Sequence, residues 1–165
     1  LMAKNKEEKT NVMRVLEQKK IAYTAHTYPH EEGMAVDGVT VAKSMGFDPA
    51  IVFKTLVARG ASKQYYVFDV PVAENLDLKK AAKAVGEKSI EMIHQKELLP
   101  LTGYVHGGCS PVGMKKLFPT VFHETAENLE TMIVSAGKIG YQVEVAPQAL
   151  IALVRAGTAE LTIES

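Results

Sequence analysis

Seven consecutive residues, Gly107-Gly108-Cys109-Ser110-Pro111-Val112-Gly113, hold the densest run of groups in this chain that could do chemistry. Glycines let backbone amides come close to a ligand, and successive amides form a concave nest for an oxyanion or a phosphate. The segment departs from two standard loops. A phosphate-binding P-loop has lysine directly after its second glycine and then a hydroxyl residue, whereas Met114 precedes Lys115 and Lys116 here. A nucleophile elbow has glycine two residues after its serine, where Val112 stands. Gly-Gly and Ser-Pro are also ordinary turn residues. The pattern alone leaves a ligand loop and a plain turn both open.

Lys54 interrupts the apolar run Ile51-Val52-Phe53-Lys54-Thr55-Leu56-Val57. On a half-exposed strand such a lysine points to water; turned into a pocket, its ammonium can hold a phosphate or polarise a carbonyl. The histidines, His26, His30, His94, His106 and His123, lack a metal-binding spacing such as H-E-x-x-H. His26 and His30 lie four apart, but Pro29 falls between them in a strand-like segment. Neither a metal nor a cofactor is expected. Cys109 is the sole cysteine, so an internal disulfide and a cysteine-based zinc site are excluded. It reads either as a nucleophile or as a small buried residue. Lys79, Lys80 and Lys83 share a helical segment with Asp77 and read as a solvated face.

The 165 residues are enough for one ordinary domain with its own core, and residues 1–165 read as a single domain without repeats or linkers. A hydrophobic fraction of 47% and a charged fraction of 23% belong to a soluble globular protein. Nineteen basic residues balance 19 acidic ones, which argues against tight, non-specific nucleic-acid binding; any RNA must meet a local basic face or be held with a partner's help. No apolar run approaches the roughly 20 residues of a membrane span. Residues 1–9 are polar and lysine-rich rather than a secretory signal, and Leu1 before Met2 reads as an addition to the natural start. A cytoplasmic location is the expectation, consistent with the cysteine usage.

The elements that would position these groups follow from periodicity and punctuation. Thr10 caps a helix to about Lys20, with Val12, Val15, Leu16 and Lys19 on one face. Residues 23–28 alternate as a strand ending at Pro29. A short helix over 39–45 stops at Gly46, and Asp48-Pro49 opens a brief turn. Residues 52–58 and 65–70 are β-branched and aromatic strands joined through Gly60, Ala61 and Ser62. Asp77 caps a helix to Val85, closed by Gly86, and 94–99 form another helix before Pro100. Strands are predicted at 121–123, 132–135 and 142–145, a helix at 147–155 and a last strand at 160–163. Helices and strands do not alternate regularly, so a doubly wound nucleotide-binding fold is not expected. The expectation is α+β with a curved, mostly antiparallel or mixed sheet.

In order and spacing, several segments resemble the YbaK/EbsC family, the free-standing aminoacyl-tRNA editing proteins related to the editing insertion of bacterial prolyl-tRNA synthetase. They are His26-Thr27-Tyr28, Val52-Phe53-Lys54-Thr55-Leu56, Pro71-Val72-Ala73, Leu76-Asp77-Leu78-Lys79-Lys80, Gly103-Tyr104-Val105 with the glycine loop, and Val134-Ser135-Ala136-Gly137-Lys138. The resemblance runs nearly end to end. It implies a twisted mixed sheet, partly closed toward a barrel and surrounded by helices, and an activity that removes cysteine from tRNA specific for proline. Cysteine and proline are close in size, and a pocket separates such near-isosteres by only about 1–3 kcal/mol, so a second site must clear the error. Alanine or serine on the same tRNA, or ligand binding without turnover, are the alternatives.

The same resemblance implies Lys54 as the essential lysine, amides of Gly107 and Gly108 as holders of the developing oxyanion, and Ser110 beside them. It extends the substrate site to Tyr28, Thr55, Pro111, Gly113, Gly137 and Lys138. The substrate's own thiol is expected to attack the ester and leave as a thiolactone. No serine–histidine–acid or cysteine–histidine set is readable here to supply another nucleophile. The implied partners are tRNA, through its aminoacylated 3′ end, and prolyl-tRNA synthetase. This chain has Ala136-Gly137-Lys138 where relatives often have Gly-Gly-Lys, and Gln142 where many carry aspartate. If that aspartate binds the substrate's amino group, its loss weakens binding or changes the amino acid chosen.

Overall fold

A computed structural model describes residues 9–164. Of the lysine-rich N-terminal segment, residues 1–8 lie outside the described part. Helix α1 (Asn11–Gln18) begins where the Thr10 hydroxyl accepts a hydrogen bond from the Met13 amide at 3.2 Å. Its inner face is Val12, Met13 and Leu16, while Lys19 stays exposed at the C-terminal end. Strand β1 (Tyr23–Thr27) follows. Helix α2 (Gly38–Ser44) is capped by Asp37, whose carboxylate accepts from the Thr40 amide and hydroxyl, both at 3.1 Å. A 3-10 turn at Pro49–Ile51 starts on the Asp48 cap.

The central hairpin is β2 (Phe53–Gly60) and β3 (Tyr65–Pro71), antiparallel, with Thr55 opposite Asp69 and Val57 opposite Val67. Period-two alternation divides the faces of β2: Phe53 and Val57 enter the largest core cluster, and Ala58 enters a second cluster with Phe68 and Val70. Helix α3 (Leu78–Val85) covers that second face with Ala81 and Ala82. Its cap Asp77 accepts from the Lys79 and Lys80 amides, and Gly86 ends it at φ +74°.

After the short strand β4 (Ile90–Met92) and helix α4 (Gln95–Thr102) come β5 (Thr120–His123), a 3-10 turn (Glu124–Asn128), β6 (Met132–Ser135), β7 (Tyr141–Val145), α5 (Pro147–Val154) and β8 (Gly157–Ala159). Two sheets result. One has the order β1-β7-β6 and is antiparallel; the other has the order β4-β2-β3-β5-β8, with parallel pairing of β3 to β5 and of β5 to β8. One hydrophobic cluster draws on both sheets through Phe53, Val67, Phe122, Met132 and Val143, and on α1 and α5 through Leu16 and Leu150.

The α+β class and mixed sheet agree with the sequence reading. Four details differ. Helix α4 runs through Pro100 instead of ending before it; the ring costs one hydrogen bond, but the carbonyl it orphans belongs to Lys96, an exposed residue that water can reach. The last strand is Gly157–Ala159 rather than 160–163, because 161–163 turn to the segment before α3: Leu161 accepts from the Asp77 amide and the Ile163 amide donates to Asn75. Strand β4 is an addition to the predicted set. The sheets also remain open among the described residues, joined by an isolated bridge between Val52 and Ile133 instead of closing toward a barrel.

Candidate active site

The seam between the two sheets holds a cavity of about 540 Å3. The start of β2 supplies Phe53, Lys54, Thr55 and Leu56; the other sheet supplies Ser135, Tyr141 and Gln142. Tyr28, just past β1, closes one side, with the 35–38 segment and Val41 of α2 beside it. The glycine loop contributes His106, Gly107 and Cys109. The size and the mixture of apolar wall with a few polar groups suit a small-molecule or aminoacyl site.

The Lys54 side chain makes no hydrogen bond or ion pair among the described residues, although its backbone pairs with Val70 of β3. Burial pulls its pKa below the ordinary lysine value, while Asp37 and Glu74 act at a distance to hold the charge. A half-buried ammonium without a direct partner is free to meet an anion or a carbonyl oxygen. Gln142 is 8% exposed, and its Oε1 has no hydrogen-bond partner. A neutral amide therefore stands in the cavity with unused hydrogen-bonding capacity. Cys109 also lines it, but burial, followed by the nearby Asp69, pushes the thiol up to about 12. At neutral pH it is a thiol and a poor nucleophile.

The glycine loop owes its shape to close packing. Gly107 has φ +90°, and a Cβ there would lie 2.7 Å from the Ala35 Cβ. At Gly108 a Cβ would meet the Ile139 amide nitrogen at 3.0 Å and the Lys138 Cα at 3.2 Å. The Gly108 amide is already engaged, donating to the Val105 carbonyl at 2.9 Å. Ser110 is fully buried and accepts from the Val112 amide at 3.3 Å, so it braces the loop from inside. Tyr104 adds a second brace, its hydroxyl donating to the Val112 carbonyl at 2.6 Å.

The ten residues singled out from the sequence thus fall into groups. Lys54, Thr55, Tyr28 and Gly107 meet in the cavity wall. Gly108 and Ser110 stand behind it. Gly137 receives Tyr104 and Val12 against its Cα side, and Lys138 lies over the Tyr141 ring at 5.4 Å. Pro111 and Gly113 line a separate groove of about 150 Å3 with Val15 and Leu153, away from Lys54. Sequence reasoning missed Asp37 and Asp69, and weighed His106 only as a metal ligand. Asp37 was signalled only as a polar residue before a helix, and Asp69 by its place in an otherwise apolar strand.

An α+β scaffold with a lysine-bearing cavity at the seam of two sheets, walled by a braced glycine loop, matches a known class. The family profile described as "Aminoacyl-tRNA editing domain" matches residues 30–153, and the chain belongs to that family. A protein of Enterococcus faecalis, provisionally named Cys-tRNA(Pro)/Cys-tRNA(Cys) deacylase EbsC, is 46% identical over 162 residues, covering 98% of each chain. The crystal structure of a protein provisionally described as a trans-editing enzyme for prolyl-tRNA synthetase superposes with TM-score 0.78 at 24% identity, covering 96% of this chain and 100% of that one. That of the hypothetical protein APE2540 superposes with TM-score 0.82 at 18% identity, covering 93% and 99%. These two structures bear on the fold.

Proposed function

We propose that the chain, as a single editing domain, is a trans-editing hydrolase that deacylates mischarged aminoacyl-tRNA, with Cys-tRNA(Pro) as its substrate. The observation that carries this reading is Lys54, half-buried and without a direct partner in a cavity sized for an aminoacyl group. The family membership and the end-to-end likeness to the deacylase of E. faecalis support it. Lys54 anchors the 3′ end or the ester oxygen, with Gly107, Thr55 and Tyr28 around the aminoacyl group. Gly108, Ser110, Gly137 and the buried Pro111 keep the loops in place, while Lys138 and Gly113 form outlying parts of the tRNA-facing surface. Prolyl-tRNA synthetase is a fitting partner and the cytoplasm a fitting location for such an activity. Among the described residues no helix is long and apolar enough to cross a membrane.

Among the described residues the cavity holds no hydrogen-bonded serine–histidine–acid or cysteine–histidine set, whereas a cysteinyl ester carries a thiol next to its own carbonyl. Intramolecular attack gains from effective concentration, so a site that fixes geometry accelerates it strongly. The sulfur forms its bond to the carbonyl carbon, the ribose oxygen leaves, and a thiolactone is released. On one tRNA, in single turnover with saturating enzyme, the expected rate order is cysteine, then serine, then alanine. Equal rates for cysteine and alanine would show that water or an enzyme group attacks instead.

Cys109→Ala separates the two thiols. The buried, protonated Cys109 makes no attack in this scheme, so the variant is expected to keep deacylation within about threefold and to lose about 1 kcal/mol of stability from packing. A rate loss of several orders of magnitude, with an acyl-enzyme trapped on the wild type, would make Cys109 the nucleophile.

A further inference from the structure

Among the described residues two buried side-chain atoms lack any hydrogen-bond partner, Gln142 Oε1 in the cavity and Asp69 Oδ2 behind it. Asp69 is fully buried on β3, opposite Thr55 of β2 and Phe122 of β5. Its other oxygen, Oδ1, accepts from the Thr55 hydroxyl at 2.5 Å, and Thr55 lines the cavity. A buried acid with a single neutral partner is costly where valine would fit the strand, so its retention calls for an explanation in function. With the Thr55 proton directed at Asp69, the lone pairs of Thr55 Oγ1 are left for a donor in the cavity.

We propose that Asp69 is a positioning residue that acts through Thr55 to draw the proton from the substrate thiol. The inference rests on the substrate-thiol reading above. As the sulfur bonds to its own ester carbonyl, the S–H proton passes to Thr55 Oγ1 while the Thr55 proton passes to Asp69 Oδ1. The carbonyl–ribose C–O bond then breaks with its electron pair on the ribose oxygen. The proton returns through the same hydroxyl to that oxygen, leaving Asp69 and Thr55 as they began.

Burial pushes the Asp69 carboxyl up to about 8, with the Thr55 hydrogen bond opposing it. A free cysteine thiol ionises at about 8.5, so donor and acceptor are closely matched. The ionisable groups on the surrounding elements are Lys54 beside Thr55 on β2, His123 beyond Phe122 on β5 and the Cys109 thiol in the glycine loop. Burial keeps Cys109 protonated, and His123 Nδ1 is occupied by the Leu161 amide at 3.1 Å.

The test is single-turnover deacylation of Cys-tRNA(Pro) and Ala-tRNA(Pro) by wild type, Asp69→Asn, Asp69→Val, Thr55→Val and Thr55→Ser from pH 6 to 9, each protein checked by thermal melting. Asn keeps an acceptor for Thr55 but takes no proton. For Asp69→Asn on the cysteinyl ester, a saturating rate about 100-fold lower is expected, with half-saturating enzyme concentration within about twofold of wild type. Its rate is expected to lose the rise toward pH 8 that the wild type shows. Thr55→Val is expected to fall equally, a protein carrying both Asp69→Asn and Thr55→Val no further, and Thr55→Ser to retain most of the rate. A folded Asp69→Asn or Asp69→Val with wild-type rate and pH profile on the cysteinyl ester overturns the relay alone. Equal wild-type rates on the two esters overturn the thiol reading and the relay with it.

Discussion

Lys54→Ala is expected to fold normally and to lose deacylation by on the order of 10²–10³-fold, the scale seen when one preorganised charge-stabilising donor is removed. The ammonium sits in the cavity wall, half removed from water, with Asp37 and Glu74 acting on it only at a distance. In the proposed reaction this charge meets the ester oxygen as it gains negative charge, in surroundings that screen it weakly. Truncation removes the charge without opening the core, because the neighbouring Phe53 and Val57 carry the packing of that strand. Lys54→Arg is expected to recover little, since a forked planar guanidinium cannot occupy the place of a compact ammonium. Single-turnover rates on Cys-tRNA(Pro), beside a circular-dichroism melt of each variant, check both. A folded Lys54→Ala at near-normal rate removes Lys54 from the mechanism.

The second large effect is on stability. Asp69 has an ordinary pKa of 3.8 when unfolded and about 8 when folded, because burial penalises its charged form. The folded state therefore holds the proton more tightly. Stability from this group is fully present below the unfolded value and is lost as pH rises toward the folded value. From pH 5 to pH 9 the wild type crosses roughly three units of that window, a loss on the order of 4 kcal/mol at about 1.4 kcal/mol per unit. Asp69→Asn has no proton to release there and is expected to escape the loss. Urea unfolding of both proteins at pH 5 and pH 9 isolates the term, since other titrating groups are common to the pair. Parallel pH dependence would mean that Asp69 is ionised in the folded protein at a normal pKa.

Elements whose local signals were strong were readable from the chain. Asp77 and Gly86 bracket α3 because one side chain satisfies two amides and the other residue adopts a left-handed turn without a clash. The β2–β3 hairpin was legible from its β-branched and aromatic residues. Strand β4 was not, since Ile90-Glu91-Met92 is three residues long and its pairing depends on β2, far along the chain. Pro100 misled for a related reason: its cost is local, whereas Leu98 and Leu101 hold the helix against the core.

Within the site, Lys54 could be singled out because it interrupts an apolar run, and Thr55 came in through the family resemblance. The bracing role of Ser110 could not, because its only sign in the sequence is a hydroxyl between Cys109 and Pro111, and the decisive fact is its complete burial. The pairing of Asp69 with Thr55 is a matter of register across a hairpin, which periodicity alone does not number.

The seam that contains the cavity has one more consequence. Its two walls belong to separate hydrogen-bonded ladders that meet at the Val52–Ile133 bridge. Their spacing is set by the side chains wedged between them, as the gap of a vice is set by what it grips. Ile133 and Val52 are buried at that point, at 0% and 1% exposure. Adding or removing a methyl group there is expected to change the width of the opening while every strand keeps its register. In the proposed reaction, a substitution at Ile133, which is outside the cavity wall, therefore shifts selectivity for amino-acid size without touching the substrate.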